Sequence, residues 1–261
     1  MRTTSNCVEF WPWRVTNSTQ SFTECVPKLV PRACRLVHSR DMPSRQGGSA
    51  QGADVRRMKL YYMPGACSLA PHIALREAGI PFTLVRYDSK TEAVEGGKRI
   101  EEINEKGYVP VLELDNGERL TEVPAVLQYI ADLRPAARLA PSPDSWERYR
   151  LQEWLNFLAT EVHKSFWPFF HKGCEDERPN QAERLKRRLT WIEQKLGGKS
   201  FIFSDNFTVA DAYLLTLVNW VRPAGFDPAQ WPGLKGYRAR LSQRPSVQGA
   251  LEAEGLLKRA A

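Results

Sequence analysis

The sequence predicts two domains, an α+β domain followed by a domain built only of helices. Three observations support this prediction. An apolar, strand-like run breaks at Pro64-Gly65 and leads directly into a helical pattern. Asn116-Gly117 joins two short runs, which is typical of a β-hairpin. Beyond about residue 143, apolar residues recur only at helical spacing. We place the domains at residues 58–138 and 144–261.

The first domain opens with a predicted βαβ unit. Leu60-Tyr61-Tyr62 is interpreted as a short buried strand, and Phe82–Tyr87 as the second strand. A helix from Ser68 to Ala78 connects them. The Ser68 side chain is expected to cap this helix, with donation of its hydroxyl to a bound thiol as the alternative. The polar stretch from Glu92 to Asn104 is then predicted to be helical.

A hairpin and a helix complete the first domain. Leu112–Leu114 and Arg119–Thr121 flank Asn116-Gly117 closely, so these strands must be antiparallel. Proline cannot donate a hydrogen bond to a sheet. Pro110 therefore needs an edge position or a special turn, such as one with a cis bond. Pro124–Leu133 follows as a helix with a proline in its first turn.

The second domain is predicted from helical periodicity and from signals at helix ends. A long helix starts near Trp146 and continues past Val162, and a second one covers Gln181–Leu196. Thr208 and Asp211 have the spacing of a capping box at the start of an almost wholly apolar helix. Shorter helices follow near 233–242 and 246–257. Three tryptophans are assigned to the core: Trp146, Trp154 and Trp220.

Composition and charge exclude several functional classes. The chain has 261 residues and a net charge of +7, but residues 1–57 hold nine Lys/Arg against four Asp/Glu. The remaining residues hold 28 against 26, and no basic face with interleaved aromatic residues is evident there. This argues against a nucleic-acid partner. Residues 1–57 show no sustained periodicity, so we expect a disordered tail or a start codon assigned too far upstream.

The cysteines indicate a reducing compartment. Their number is odd, five, and no pair has the spacing of a redox motif or a zinc site. Free thiols are typical of the cytoplasm, which is the expected location. No apolar run is long enough to span a membrane, and no metal site is predicted.

Cys67 is the candidate reactive residue. It follows a strand and a Pro-Gly turn and stands where a helix begins. The free N–H groups and the dipole of a helix start stabilise a thiolate, so we expect this thiol to ionise readily. Its alternative role is that of a small apolar side chain. A cysteine after the first strand and a later hairpin behind an X-Pro bond form the thioredoxin arrangement. Ala70 stands where redox members usually have a second cysteine, so an external thiol, such as glutathione, would have to react with Cys67.

Several stretches together resemble the bacterial, beta-class glutathione S-transferases. The resemblance covers about residues 58–257 and is carried by these segments: Lys59–Tyr62, Pro64–Leu69, Gly107–Leu112, Leu120–Glu122, Glu153–Phe157, Glu161–Lys164 and Phe207–Tyr213. It implies a thioredoxin-like N-terminal domain, an all-α C-terminal domain and a homodimer. It also implies glutathione as co-substrate and an apolar electrophile as the second substrate.

The resemblance further implies the site residues. Cys67 and His163 would be catalytic, and both would contact glutathione. The backbone of Val109, before a cis Pro110, would pair with the cysteinyl part of glutathione. Glu122 and the Val123 amide would hold its γ-glutamyl end, by pairing a carboxylate with an ammonium and an N–H with a carboxylate. The remaining implied contacts are Tyr108, Asn156, Thr160 and Glu161. Some of the long-helix residues would reach the site from the partner subunit.

Some positions depart from the family pattern. Glu92 stands where a lysine usually contacts the glycyl end of glutathione, and its charge is expected to weaken binding unless Lys90 substitutes. Val123 replaces a small residue but retains its amide. The electrophile pocket is expected to be apolar and aromatic, near Phe166, Trp167, Phe169 and Phe170.

The chemistry at Cys67 has more than one interpretation. In conjugation, the glutathione thiolate attacks the electrophile and Cys67 only holds the tripeptide. In thiol–disulfide exchange or reductive dehalogenation, Cys67 itself attacks and forms a mixed disulfide. A non-catalytic protein that binds glutathione or another ligand is the alternative from a different class, and Glu92 is the residue that favours it.

Overall fold

The computed structural model describes residues 58–257, and the predictions for 1–57 lie outside this range. The sheet has five strands in the spatial order β3-β2-β1-β4-β5. The strands are β1 Lys59–Tyr62, β2 Thr83–Asp88, β3 Ala93–Val94, β4 Val111–Glu113 and β5 Arg119–Thr121. The pair β1/β2 is parallel, and the other neighbouring pairs are antiparallel.

The predicted βαβ unit is confirmed. Helix α1, Leu69–Glu77, crosses between β1 and β2, and Lys59 to Tyr62 pair in register with Thr83 to Arg86. All residues of α1 up to Leu75 are buried, because this helix packs against the sheet on one side and against helices on the other. Helix α1, which follows β1 directly, is therefore in contact with α7 and α9 of the helical half.

The prediction of a helix over Glu92–Asn104 is wrong. The segment contains the short edge strand β3 and one helical turn, α2, Ile100–Ile103. Gly96 and Gly97 separate them, with φ of 98° and 84°. Such backbone angles interrupt a helix, and only glycine adopts them without strain.

The predicted hairpin is confirmed. Leu112 pairs with Leu120 across β4 and β5, and the Gly117 N–H donates to the Leu114 carbonyl in the turn at 2.9 Å. The Val109–Pro110 peptide is cis and comes directly before β4. Helix α3, Val123–Leu133, follows the hairpin and packs against α1.

The second half of the described chain is helical, as predicted. Its helices are α4 Trp146–Phe157, α5 Trp167–Phe170, α6 Arg178–Leu196, α7 Val209–Asn219, α8 Pro232–Leu241 and α9 Pro245–Ala253. Helix α7 is central, with every residue from Val209 to Val218 buried. Its start has the predicted capping box between Thr208 and Asp211.

The long helix differs from the prediction in two respects. Helix α4 ends at Phe157, where a π-helical turn, Leu158–His163, and a 3₁₀ turn, Lys164–Phe166, take over. The assignment of Trp146 to the core is wrong, because this residue is 71% exposed in the first turn of α4. Trp154 is partly buried and packs against the core.

A common apolar core joins the sheet, α1 and α3 to the helices of the second half. The predicted fold class is confirmed by the order of the elements, a mixed sheet with α1 and α3 followed by helices alone, whereas the boundaries at 58–138 and 144–261 stay predictions. Among residues 58–257, no helix combines the length and apolarity needed to cross a membrane.

Candidate active site

Cys67 lies in the loop between β1 and α1, facing the peptide before Pro110. Its side chain is partly buried, and its thiol donates to the Val109 carbonyl at 3.5 Å. The Val109 N–H has no hydrogen-bond partner among residues 58–257. Position 70, where a resolving cysteine would stand, is a buried alanine. The thiol thus lies beside the Val109 backbone, whose N–H and carbonyl could both form hydrogen bonds with an extended peptide.

The expectation that Cys67 ionises readily is wrong for this structure. Burial raises the pKa of the Cys67 thiol to about 12. The amides of Cys67 and Ser68 and the Lys164 ammonium lower it, but they do not overcome burial. Cys67 is therefore a neutral thiol at neutral pH.

Ser68 does not cap α1 with its side chain, and its hydroxyl bonds within its own loop. Its hydroxyl accepts from the Met63 N–H at 3.1 Å and donates to the Met63 carbonyl at 3.2 Å. The residue is fully buried, and its backbone angles are already helical, whereas a capping residue is usually extended. Ser68 instead closes the loop that carries Cys67.

Residues of the helical domain hold the same loop at Gly65. Gly65 has a φ of 73°, its N–H donates to Glu254 at 2.9 Å, and its carbonyl accepts from the Trp220 indole at 2.7 Å. Glu254 also bonds His72 Nδ1 at 2.8 Å, and both side chains are completely buried. Because Arg76 Nε donates to His72 Nε2 at 2.9 Å, the imidazole proton lies on Nδ1 and points at Glu254.

Glu122 forms a polar cluster at the start of α3. The residue has a φ of 68°, and its Oε1 accepts from Tyr108 Oη at 2.7 Å and from Lys106 Nζ at 2.9 Å. These two hydrogen bonds, from Tyr108 and then Lys106, lower the pKa of the Glu122 carboxyl, which is ionised at neutral pH. Val123 follows as the first residue of α3.

His163 lies at the end of the π-helical turn and contacts the central helix. Its Nδ1 is 2.8 Å from Tyr213 Oη, and its ring packs edge-on against Tyr213 and Trp220. Burial, and after it the charge of Lys164, lowers the pKa of His163 to about 4. His163 is therefore a neutral imidazole at neutral pH and can act there as a hydrogen-bonding group.

Three further predicted residues lie along the same helical stretch. Asn156 and Thr160 are exposed, and the Thr160 hydroxyl donates to the Asn156 carbonyl at 3.0 Å. The Glu161 carboxylate instead binds Arg184 at 2.6 Å and Arg188 at 2.7 Å. These ion pairs give Glu161 a structural role in joining the π-helical turn to α6. The predicted glutathione contacts of these three residues stay predictions.

The departure at Glu92 is less repulsive than expected. The Glu92 carboxylate is 3.2 Å from Arg99, and both side chains are more than half exposed. Arg99 thus partly neutralises Glu92. Lys90 is exposed, and its amide donates to Asp88.

Aromatic residues form a wall beside His163. Phe166 is buried, and its ring centroid is 5.7 Å from that of Trp220. Phe170 is 45% exposed and contacts both Phe166 and Trp220. Phe169 packs against Phe226, whereas Trp167 stacks on His171. Phe170 and Trp220 thus present aromatic surface beside His163, and the location of the electrophile pocket stays a prediction.

Sequence reasoning missed four residues of this site. Lys106 binds Glu122, Lys164 lowers the pKa of both Cys67 and Glu122 by its charge, Tyr213 bonds His163, and Trp220 bonds Gly65. Lys164 directly follows His163 in the matched stretch, and this adjacency was a usable signal. The other three are brought in by tertiary contacts that sequence spacing does not reveal.

The fold and the site together define a class of protein. A thioredoxin-like sheet places a cysteine at the start of α1 opposite a cis-proline peptide, and an all-helical domain covers it. Family models agree with this class. Residues 65–133 match the glutathione S-transferase N-terminal domain, and residues 175–240 match the C-terminal domain.

Individual relatives show the family. Glutathione S-transferase GstA of Escherichia coli O157:H7 is 42% identical over 200 residues, which is 76% of this chain and 100% of that protein. GST-4.5 of Xanthomonas campestris is 36% identical over 207 residues, again 76% of this chain and 100% of that protein. The protein belongs to the glutathione S-transferase family.

Solved structures agree. A ternary complex of BphK, a bacterial glutathione S-transferase, has a TM-score of 0.74 and 46% identity, covering 76% of this chain and 100% of that one. A sphingomonad glutathione S-transferase complexed with glutathione has a TM-score of 0.73 and the same identity and coverage.

Proposed function

We propose that the protein is a beta-class glutathione transferase that conjugates glutathione to apolar electrophiles. The observation that carries the proposal is the position of Cys67, 3.5 Å from the Val109 carbonyl and beside the unpaired Val109 N–H. An extended thiol peptide can pair with this backbone and bring its own sulfur to Cys67. A similar protein, the sphingomonad enzyme, was solved with glutathione bound, and another at 46% identity is described as beta class.

Glutathione is proposed to bind through groups already named. The backbone of Val109 pairs with the cysteinyl residue, and the Glu122 carboxylate receives the γ-glutamyl ammonium. The Val123 N–H at the start of α3 receives a carboxylate oxygen, because helix N-termini attract anions. Asn156 and Thr160 lie on the exposed face of the helical stretch, where a second subunit would meet the site.

In the conjugation reaction the attacking sulfur is that of glutathione. Cys67 is a neutral thiol at neutral pH, so it serves as a hydrogen-bond donor to a glutathione thiolate. The Lys164 ammonium also stabilises the thiolate by its positive charge. Neutral His163 can assist as a hydrogen-bond donor through Nε2, because its Nδ1 is paired with Tyr213 Oη. The glutathione thiol first loses its proton to solvent. With an aryl halide, the thiolate bonds to the ring carbon and the halide departs with its electron pair. With an enone, the thiolate bonds to the β-carbon and the resulting enolate takes a proton from solvent.

A second candidate is thiol–disulfide exchange at Cys67, and the absence of a second cysteine at position 70 favours it. The Cys67 thiolate would attack oxidised glutathione, release reduced glutathione and retain a mixed disulfide. Reductive dehalogenation would use the same intermediate. Its formation requires ionisation of Cys67, and burial opposes this step. Binding of glutathione without turnover is the remaining alternative.

One experiment separates these functions. Wild type, Cys67→Ala and the matched control Cys174→Ala are assayed with glutathione and a panel of aryl halide and enone electrophiles. Intact mass is measured after incubation with oxidised glutathione. We expect conjugation by all three proteins, with a reduced rate for Cys67→Ala. Loss of all turnover in Cys67→Ala, together with a Cys67 adduct in wild type, would favour covalent chemistry. Retention on immobilised glutathione without turnover by wild type would favour a binding protein.

We also propose a cytoplasmic homodimer that detoxifies electrophiles. The exposed aromatic residues Trp146 and Tyr149 of α4 lie on the same helix as Asn156 and support a subunit contact there. Light scattering coupled to size-exclusion chromatography tests this proposal. A mass of twice 29.8 kDa is expected, and a monomer at micromolar concentration would refute it.

A further inference from the structure

The loop that carries Cys67 begins with a type II β-turn. The Ala66 N–H donates to the Met63 carbonyl at 3.0 Å, and Gly65, the third residue of the turn, has a φ of 73°. Proline at the second position and glycine at the third are the residues that this turn type prefers. The N–H of the third residue is not used inside such a turn, so the Gly65 N–H needs an acceptor elsewhere in the molecule.

The residues of the turn do not determine its type by themselves. A type I turn differs from a type II turn by a rotation of the central peptide by about 180°, and glycine accepts both conformations. This rotation points the Gly65 N–H in the opposite direction. The bond from the Trp220 indole does not prevent it, because the Gly65 carbonyl belongs to the next peptide group. The acceptor of the Gly65 N–H therefore selects the conformation of the turn.

That acceptor is Glu254, the residue directly after α9. Its Oε2 accepts from the Gly65 N–H at 2.9 Å, and its Oε1 accepts from His72 Nδ1 at 2.8 Å. The Glu254 and His72 side chains are completely buried, whereas Arg76, which donates to His72 Nε2 at 2.9 Å, is exposed. Each hydrogen bond in this row has one possible direction, because arginine donates and cannot accept. The row therefore requires an acceptor at both oxygens of residue 254.

We propose that Glu254 is a positioning residue for Cys67. By accepting the Gly65 N–H it holds the turn in one conformation, and the Cys67 sulfur, two residues further on, keeps its position beside the Val109 carbonyl. Glu254 bonds the loop and not the sulfur, so it acts on the reaction through Cys67 alone. The effect on turnover rests on the proposed function, whereas the effect on the position of Cys67 does not.

The substitution Glu254→Gln tests the requirement for two acceptors. It replaces one carboxylate oxygen by an NH₂ donor, which then faces either the Gly65 N–H or the His72 Nδ1 proton. His72 cannot respond by moving its proton to Nε2, because Arg76 donates there. In the double variant Arg76→Met/Glu254→Gln that donor is gone, so His72 can carry its proton on Nε2 and accept from the amide at Nδ1. Arg76→Met should therefore relieve the defect of Glu254→Gln.

Two further variants serve as controls, and circular dichroism verifies that each protein is folded. Arg76→Met alone leaves both oxygens of Glu254 in place. Glu193→Gln is the matched control, because the Glu193 carboxylate also accepts from two backbone N–H groups, at 2.6 and 2.7 Å, at the start of α8. The alkylation rate of Cys67 by iodoacetamide is measured at fixed pH by peptide-resolved mass spectrometry, with Cys174 as the reference in the same sample. The kcat and the KM for glutathione are measured with an aryl halide.

We expect Cys67 of Glu254→Gln to be alkylated about 10- to 100-fold faster than in wild type. This range corresponds to the loss of a hydrogen bond to a charged group that limits local opening of the loop. The rate at Cys174 should not change. The kcat should fall by no more than it falls in Cys67→Ala, and the KM for glutathione should change less than kcat does. Arg76→Met, Glu193→Gln and the double variant should resemble wild type in both assays.

Several results overturn the proposal. Equal alkylation of Cys67 in Glu254→Gln and in wild type does so, and so does a double variant as impaired as Glu254→Gln. Equal acceleration in Glu193→Gln also does so, because loss of stability anywhere would then expose Cys67. If Glu254→Gln does not fold, the double variant decides: wild-type rates support the proposal, and a failure to fold overturns it. If wild type conjugates no electrophile, the proposed function falls, while the alkylation rates still decide whether Glu254 positions Cys67.

Discussion

Replacement of Glu254 by alanine is expected to destabilise the protein more than replacement of an exposed charged residue would. The Glu254 carboxylate has no solvent exposure and serves two donors, the Gly65 N–H at 2.9 Å and His72 Nδ1 at 2.8 Å. Alanine leaves both donors buried without an acceptor. His72 cannot correct this by moving its proton, because its Nε2 must stay unprotonated to accept from Arg76.

The magnitude follows from the two lost contacts. A buried donor left unsatisfied costs about 1–3 kcal/mol, and more where the lost partner is a charged group such as the Glu254 carboxylate, so the two donors together cost about 3–5 kcal/mol. We therefore expect the free energy of unfolding to fall by about 3–5 kcal/mol. For a domain of about 200 residues this corresponds to a melting temperature lower by about 6–20 °C.

Urea unfolding monitored by tryptophan fluorescence and by circular dichroism measures the effect. Glu183→Ala is the control, since Glu183 pairs with Lys186 on the exposed face of α6 and its loss should leave the unfolding midpoint unchanged. If Glu254→Ala loses less than about 1 kcal/mol, the buried network does not hold the Gly65 loop and the reasoning is refuted.

Two further predictions concern pH. Because the pKa of Cys67 is about 12, its alkylation by iodoacetamide should be slow at neutral pH and should rise about tenfold per pH unit. Peptide-resolved mass spectrometry measures this rate, and levelling off near pH 8 would contradict the prediction. The pKa of His163 is about 4 against an ordinary 6.5, so between these values the unfolded chain binds a proton that the folded protein does not. The free energy of unfolding should therefore decrease by about 3 kcal/mol as pH falls from 6.5 to 4. This decrease should be absent from His163→Gln, and parallel pH curves for the two proteins would show that His163 is not the group responsible.

The local signals in the sequence predicted much of the first domain. Asn116-Gly117 determined the hairpin because few residues other than glycine accept the turn geometry. The restriction on Pro110 identified an unusual peptide before β4, and the spacing of Thr208 and Asp211 identified the start of the central helix. In each case the signal depends on the backbone of a few neighbouring residues, so tertiary contacts do not change it.

The errors arose where distant contacts decide the outcome. Trp146 has helical spacing with core residues, but spacing alone does not show that no other element of the described chain covers that face. Ser68 has the right residue type for a cap, yet its hydroxyl closes the loop at Met63. The ionisation of Cys67 was inferred from the helix start alone. The burial that opposes ionisation comes from packing that the local sequence does not encode.

The contacts of Gly65 also determine when during synthesis the cysteine loop can become ordered. Its N–H and its carbonyl are bonded to residues 189 and 155 positions later in the chain. A ribosome releases the sheet and α1 long before Trp220 and Glu254 exist. The nascent first domain therefore lacks both hydrogen bonds to Gly65, and the loop that carries Cys67 acquires them only when nearly the whole polypeptide has been translated.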